Sequence, residues 1–305
     1  LSAMAPVNRG KSVDILCVGQ ATYDLFFSVD RHPDPDEKSV ASALVGCGGG
    51  PAANAAVTAS RLGLTSAFAG YLGLDLFGNR HFQELQEEGV ESSLIIRGNR
   101  PTPISVVLVK PDGSRALVNY RGETGHLPEG SIDFNRIRAK VILFDGHQPI
   151  ISCPLAEQAR KRKIPTILDA GSLHPGTRAL AGQVDYLVTS QAFARDFTGT
   201  EEAEKSVAIL HDLAPQVIIT LGDQGLIWKT RDSTGRLPAF PVKAMDTTGA
   251  GDSFHGAFAV GLAKNQSWPE ILRYASAVAA LCCTKMGARP GIPHQPEVEI
   301  FLQNN

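Results

Sequence analysis

The chain has no apolar stretch near the ~20 residues needed to span a bilayer, so no membrane-spanning helix is expected. It also has no basic excess. Its 29 Lys and Arg stand against 31 Asp and Glu, and the net charge of -2 argues against general binding to nucleic acid or anionic lipid. Cysteine is sparse: Cys17, Cys47, Cys153, Cys282 and Cys283 form an odd set with no C-x-x-C spacing. That excludes a disulfide framework or a thiolate zinc site and points to buried free thiols in a reducing cytoplasm. Leu1 to Lys11 lacks the long apolar core of a secretory leader, and Leu1-Ser2-Ala3 ahead of Met4 has the form of a tag remnant. No G-x-G-x-x-G follows the first apolar strand, which ends Gly19-Gln20-Ala21-Thr22, so a dinucleotide-binding oxidoreductase is disfavoured.

What is present is a large core and an alternating pattern. Apolar residues make up 43% of the 305 positions. Val13–Gly19, Ser66–Tyr71, Val141–Phe144, Thr166–Leu168, Tyr186–Thr189 and Val217–Leu221 read as short buried strands. Helices are predicted between and after them at Pro51–Leu62, Asp75–Glu88, Leu155–Lys161, Glu201–His211, Ala250–Ala263 and Trp268–Lys285. Strand and helix in alternation imply an α/β fold with a doubly wound, mostly parallel sheet flanked by helices. Leu25–Val29 with Val40–Val45, and Ile104–Lys110 with Ala116–Tyr120 around Pro111-Asp112-Gly113, read instead as a small separate β-sheet. Pro and Gly are scattered among turns with no linker, so residues 10–305 are expected to form one domain, with the small sheet inserted as 24–47 and 101–121.

The chemistry concentrates in Asp246-Thr247-Thr248-Gly249-Ala250-Gly251-Asp252-Ser253-Phe254, a glycine-rich turn entering a helix. Free N–H groups at a helix N-terminus bind anions, and Asp252 would stand beside whatever anion binds. A base next to an anion site suits phosphoryl transfer to an alcohol. A simple helix cap is the plainer reading of Asp252.

This order of residues resembles the C-terminal signature of the ribokinase-like (PfkB) family of carbohydrate and nucleoside kinases. Gly48-Gly49-Gly50-Pro51-Ala52-Ala53-Asn54, continuing to Leu62-Gly63, is similar to the family's N-terminal sugar-binding signature. The resemblance runs from about Ile15 to Phe301, and it implies that the small sheet is a lid over the sugar. It makes Asp252 the general base, and Gly249, Ala250 and Gly251 the anion hole. Asp24, Gly49, Gly50 and Asn54 become sugar-binding residues. Thr220, Gly222 and Gly225 become the turn beneath ATP, with Ser276 beside the adenine. Mg²⁺ accompanies ATP, and Asp246, Thr248, Cys282, Lys285, Gly287 and Gly291 form a monovalent-cation site, K⁺ by the hardness of oxygen ligands. The implied partners are a sugar, ATP and a second copy of the chain paired through the lid.

Where many members carry N-x-x-E, this chain reads Ser190-Gln191-Ala192-Phe193, which puts the hold on Mg²⁺ in question. The whole pattern most resembles sulfofructose kinase and ketohexokinase-like members. Lys38 and Asn119 match substrate contacts of the former, but His147 stands where its sulfonate-binding Arg would be. The reading is therefore an ATP-dependent kinase acting on a primary hydroxyl of a ketose-like sugar or polyol, with a neutral acceptor preferred because His is a poorer anion partner than Arg. The alternatives are a sulfofructose kinase, a nucleoside kinase and a catalytically silent ligand-binding protein. A nucleoside kinase would want apolar or aromatic residues around a base, and an intact Asp252 argues against the silent protein.

Overall fold

The computed structural model describes residues 10–305, so the residues preceding Gly10, including the proposed tag remnant, lie outside the described residues. In chain order the elements are β1 (Lys11–Val18), β2 (Thr22–Ser28), β3 (Ala43–Gly49), α1 (Pro51–Arg61), β4 (Ser66–Gly73), α2 (Leu76–Glu87), β5 (Glu91–Gly98), β6 (Ile104–Val109) and β7 (Arg115–Tyr120). Then come β8 (Ile137–Phe144), α3 (Pro149–Arg162), β9 (Thr166–Ala170), α4 (Pro175–Leu180), β10 (Tyr186–Ser190), α5 (Gln191–Thr198), α6 (Ala203–His211) and β11 (Gln216–Thr220). The chain ends with β12 (Leu226–Lys229), β13 (Thr234–Leu237), α7 (Ala250–Ala263), α8 (Trp268–Cys282), α9 (Ala288–Gly291) and α10 (Gln295–Asn304).

Nine strands form one sheet in the order β13-β12-β11-β10-β9-β8-β1-β4-β5, parallel except for the antiparallel pairs made by β12 and β13. The strand side chains alternate between two cores, as the two-residue period requires. Ile15 and Cys17 of β1 join the core under α1, α7 and α8, while Leu16 and Val18 join the core under α3, α5 and α6. This is the doubly wound arrangement expected from the sequence. It puts the carboxyl ends of β1, β8, β9, β10 and β11 on one rim, where ligands bind in such sheets.

The second sheet has the order β3-β2-β6-β7, with β2 parallel to β6 and the other pairs antiparallel. The Pro111-Asp112-Gly113 turn closes the β6–β7 hairpin as expected, and Asp112 accepts a 2.9 Å bond from Ser114 N–H. Phe26, Cys47, Val107 and Val109 form a small buried cluster beneath this sheet. Two placements differ from expectation, the first being β2, which begins at Thr22 ahead of the predicted Leu25 and so contains Asp24. The strand predicted at Val40–Val45 begins at Ala43 and runs through Gly49, so Gly48 and Gly49 pair within β3. Val40 is exposed outside it.

Two helix limits also differ. Helix α3 begins at Pro149 and runs through Pro154, whereas the sequence reading began it after that proline. Pro149 at the first helical position suits the start, because its missing N–H would have no partner there. Helix α8 ends at Cys282, three residues short of the predicted Lys285.

Candidate active site

The glycine-rich turn and the first turn of α7 form a wall between two cavities. Thr247, Ala250 and Gly251 line a cavity of about 510 Å³, together with Thr220, Gly222, Gly225, Phe240 and Ser276. On the other side, Thr248 and Asp252 line a cavity of about 260 Å³ with Asp24, Asn54, Asn119 and His147. The first cavity is mainly apolar and the second is mainly polar, as a base pocket and a polyol pocket would be.

Gly249 is the N-cap of α7, with a φ of 79° that favours glycine. A Cβ there would also lie 2.6 Å from the Cβ of Ala288. Having no side chain, it leaves the helix N-terminus uncapped. Among the described residues, the N–H groups of Gly249 and Gly251 have no protein acceptor, while Ala250 N–H reaches Thr247 O at 3.3 Å. The turn therefore offers open donors at the positive end of the helix dipole.

Burial pushes the Asp252 carboxyl above its ordinary value, and the Asn54 amide beside it opposes this. Asn54 Nδ2 donates to Asp252 Oδ2 at 2.8 Å, and Asn54 Oδ1 accepts from Arg289 Nε and Nη2 at 3.3 and 3.2 Å. Because Arg only donates, the amide can point only one way, with its NH₂ on Asp252. Arg289 is buried, and its Nη2 also meets His81 Nε2 at 3.1 Å. That nitrogen must therefore be bare. Burial, seconded by Arg289, holds His81 well below the usual imidazole range, in keeping with a neutral ring. Asn54, expected to meet the sugar, spends most of its hydrogen bonding on Asp252 and Arg289.

Asp145 holds the opposite wall. Its carboxylate accepts from Gln20 N–H at 2.7 Å, Ala52 N–H at 3.2 Å and His147 N–H at 2.8 Å. The Ala52 bond caps α1 from outside, since its own N-cap, Gly50, has no side chain to do so. Burial raises Asp145 to about 6 and, likewise, Asp24 to about 6. Thr22 Oγ1 donates to Asp24 Oδ1 at 2.8 Å. Gly49 packs against the same carboxylate, where a Cβ would stand 2.0 Å from Asp24 Oδ2. Burial lowers His147 to about 4, followed by the charge of Arg121, so its ring is neutral near pH 7. Asn119 Oδ1 accepts from Ser105 Oγ at 2.9 Å.

Lys38 is not part of this assembly. It is exposed in the segment joining β2 and β3 and does not line the cavity.

The cation-site residues do converge. Asp246 is buried, accepts from Thr248 N–H and Oγ1 at 2.9 and 2.7 Å, and accepts from Gly287 N–H at 2.9 Å. Gly291 approaches Cys282 O so closely that a Cβ would lie 2.5 Å from it. The Lys285 side chain turns away to Glu297 at 3.0 Å. A lid residue not singled out in the sequence, Arg115 of β7, donates to Thr248 Oγ1 at 2.5 Å and stands 3.8 Å from Asp246. Where an N-x-x-E would begin, Ser190 caps α5 by accepting from Phe193 N–H at 3.0 Å. No group of three or more His, Cys, Asp or Glu among the described residues could hold a metal ion. Mg²⁺ does not require such a group, because it keeps several waters and binds largely through substrate phosphates.

Asp145, Arg115, His81 and Arg289 escaped the sequence reading. Asp145 and Arg289 stand beside residues named from the sequence, but nothing local marked them.

The fold and this paired-cavity site define a phosphotransferase of the ribokinase type, and comparison with known proteins agrees. The family described as pfkB family carbohydrate kinase matches residues 13–295. The chain belongs to that family, whose members transfer a phosphoryl group from ATP to a sugar hydroxyl. It is 31% identical to "Probable fructokinase-5" of Arabidopsis thaliana, over 90% of this chain and 95% of that one. It is 28% identical to a ribokinase of Haemophilus influenzae, over 94% and 97%. Its fold superposes on Arabidopsis thaliana ribokinase complexed with ribose and ATP with a TM-score of 0.83 at 28% identity, covering 96% of this chain and 99% of that one.

Asp145 gives a stability test. A folded-state value near 6, above the ordinary 3.8, means the folded protein holds this proton more tightly than the unfolded chain. Stability from this group is therefore fully present below pH 4 and lost as pH rises through 6. Urea unfolding of the wild type should show a loss of about 2–3 kcal/mol between pH 4 and 7 from this carboxyl. Asp145→Asn should remove that part of the slope. An identical slope in the variant would refute the assignment.

Proposed function

We propose that the chain is an ATP-dependent kinase for the primary hydroxyl of a ketose-like sugar or polyol, with Asp252 as general base. One observation carries the reading. Asp252 lines the polar cavity, while Gly251, with its open N–H group, lines the apolar one. An acceptor hydroxyl in the polar cavity can give its proton to Asp252, and its oxygen can then attack the terminal phosphorus of a nucleotide reaching in from the apolar one. The bond from phosphorus to the nucleotide's bridging oxygen breaks, and the N–H groups of Gly249, Ala250 and Gly251 meet the charge that develops on the transferred group. Mg²⁺, when bound with the nucleotide, neutralises phosphate charge. Asp24, Asn119 and a neutral His147 suit hydroxyls of the acceptor, and Ser276 and the Thr220–Gly225 turn suit the nucleotide.

Coupled-ATPase assays on a panel of neutral ketohexoses, ribose, nucleosides and a sulfonated ketose test both halves. A neutral ketohexose should give the highest kcat/KM, and His147→Arg should shift preference toward the sulfonated sugar. Asp252→Asn should lower kcat by about 10²–10⁴-fold with ATP affinity little changed. Near wild-type kcat in that variant would remove Asp252 from the chemistry, and a wild-type preference for the sulfonated sugar would make this a sulfofructose kinase.

The oxygens around Asp246, Cys282 and Gly291 support a K⁺ site beneath the turn, where the ion would stiffen the anion hole. At fixed ionic strength, replacing potassium with a bulky organic cation should lower kcat, with recovery on adding potassium back. Equal rates would remove the cation site.

The lid supports a two-fold dimer. On the face away from the site, Leu25 pairs in register with Val106, and Val106 with Val118; Phe27 pairs with Leu44 and Leu108. Leu44 and Val118 are 59% and 70% exposed, an apolar stripe that a second lid would cover. Light scattering at micromolar concentration should report twice 32.5 kDa; a single-chain mass would count against the pairing.

A further inference from the structure

One buried pair beneath the anion turn has no part in the reading so far. His255, one turn into α7, is 3% exposed, and Asp169, at the carboxyl end of β9, is 5% exposed. His255 Nδ1 lies 2.6 Å from the backbone oxygen of Gly251 and 3.2 Å from Asp169 Oδ2. Its Nε2 lies 3.2 Å from the backbone oxygen of Val188 in β10. Every polar neighbour of the ring is an oxygen, and the two backbone oxygens have no proton to give.

A neutral imidazole carries one N–H and one bare lone pair. If Nε2 were bare, its lone pair would face that of Val188 O. If Nδ1 were bare, it would face Gly251 O at 2.6 Å. Turning the ring over would set C–H groups against the same oxygens, at distances too short for them. Only a ring with both N–H protons makes every contact attractive. Burial pushes Asp169 up, and the ring beside it pulls it down. With the proton on the ring, the carboxylate balances the imidazolium in a dry site, the arrangement a buried charge needs.

We propose that His255 is a positioning residue: a buried imidazolium, paired with Asp169, that tethers Gly251 and whose charge keeps Asp252 ionised as the base. The charged or titratable groups that bear on Asp252 are Asp24 from β2, Arg115 from β7, Asp145 and His147 following β8, Asp169 from β9, and Cys282 at the end of α8. Arg289 from α9 reaches it through Asn54. Three of these neighbours are carboxylates that resist its ionisation. His255 opposes them from within the same helix, on the side away from the acceptor, where it can act without touching substrate. The role of Asp252 as base is the reading given above, whereas the protonation state of His255 is independent of it.

Two measurements on the whole protein separate these points. In a ¹⁵N-histidine spectrum of wild type at pH 7, the His255 ring should show two protonated nitrogens. The signal is assigned by its absence in His255→Asn, or by its change in Asp169→Asn if the first variant does not fold. One bare nitrogen at pH 7 would overturn the proposal outright. In kinetics, His255→Asn removes the charge, so the acid limb of kcat should move up by about one pH unit. Activity at pH 6 then falls several-fold to tenfold, and activity near pH 9 stays close to wild type with KM for ATP little changed. An equal loss at every pH would mean a merely structural role and would sink the charge argument. An imidazolium in the spectrum with no pH limb in either protein would keep the pair but reject Asp252 as the titrating base.

Discussion

Three peptide N–H groups on one carboxylate hold this active site in register. Asp145 follows β8, and it takes a proton donor from the β1–β2 link, another from the first turn of α1, and a third from its own loop at His147. These segments carry Asp24, Asn54 and His147 respectively into the polar cavity. Charge-assisted bonds of this kind are about twice as strong as neutral ones, and they fix direction as well as distance. The central sheet alone could not set these positions, because each segment leaves it by a loop.

The same logic recurs on the other side of the cavity at a different cost. Burial pushes Asp252 toward its neutral form, and the charge of Asp145 adds to that push. Its ionised form depends on a chain of donors, Arg289 to Asn54 to Asp252, that starts from a guanidinium with almost no access to water. A buried arginine is expensive to desolvate, and here His81 and Asn54 accept its protons while the Glu84 carboxylate stands 3.8 Å from Nη1. Glu84 in turn accepts from Gly48 N–H at 2.6 Å, so the chain ends on the lid's own strand. The base, the acceptor cavity and the root of the lid are therefore mechanically one assembly.

Much of the fold was legible because it is written in local pattern. Apolar runs named the buried parallel strands, and Pro111-Asp112-Gly113 named the hairpin. The limits of α7 agree with expectation, because a glycine turn precedes it and a solvated Lys264-Asn265 follows. β5 was missed because Glu91-Ser92-Ser93 and Arg97 interrupt its apolar run. β12 and β13 are four-residue edge strands, too short for periodicity to register. In the site, residues inside recognisable motifs could be named, and those whose meaning lies in a distant partner could not. Arg289 and Asn54 are separated by 235 positions, and Asp145 and Gln20 by 125. Lys38 shows the converse: a residue type and a position suggested a role, while its segment leaves it in solvent.

Gly49 has a consequence for how this pocket can change over evolutionary time. A single methyl group at position 49 would occupy the space now filled by the Asp24 carboxylate. No side chain can enter there while Asp24 keeps its place, because the neighbour is a charged group tied down by a hydroxyl. The order of substitution is thus constrained: position 24 must shrink before position 49 can grow. A lineage that did both would exchange an acceptor of hydrogen bonds for apolar bulk at the same point in space. The pocket's chemistry would then change by a two-step path whose reverse requires the same steps in the opposite order, a ratchet set by one missing carbon atom.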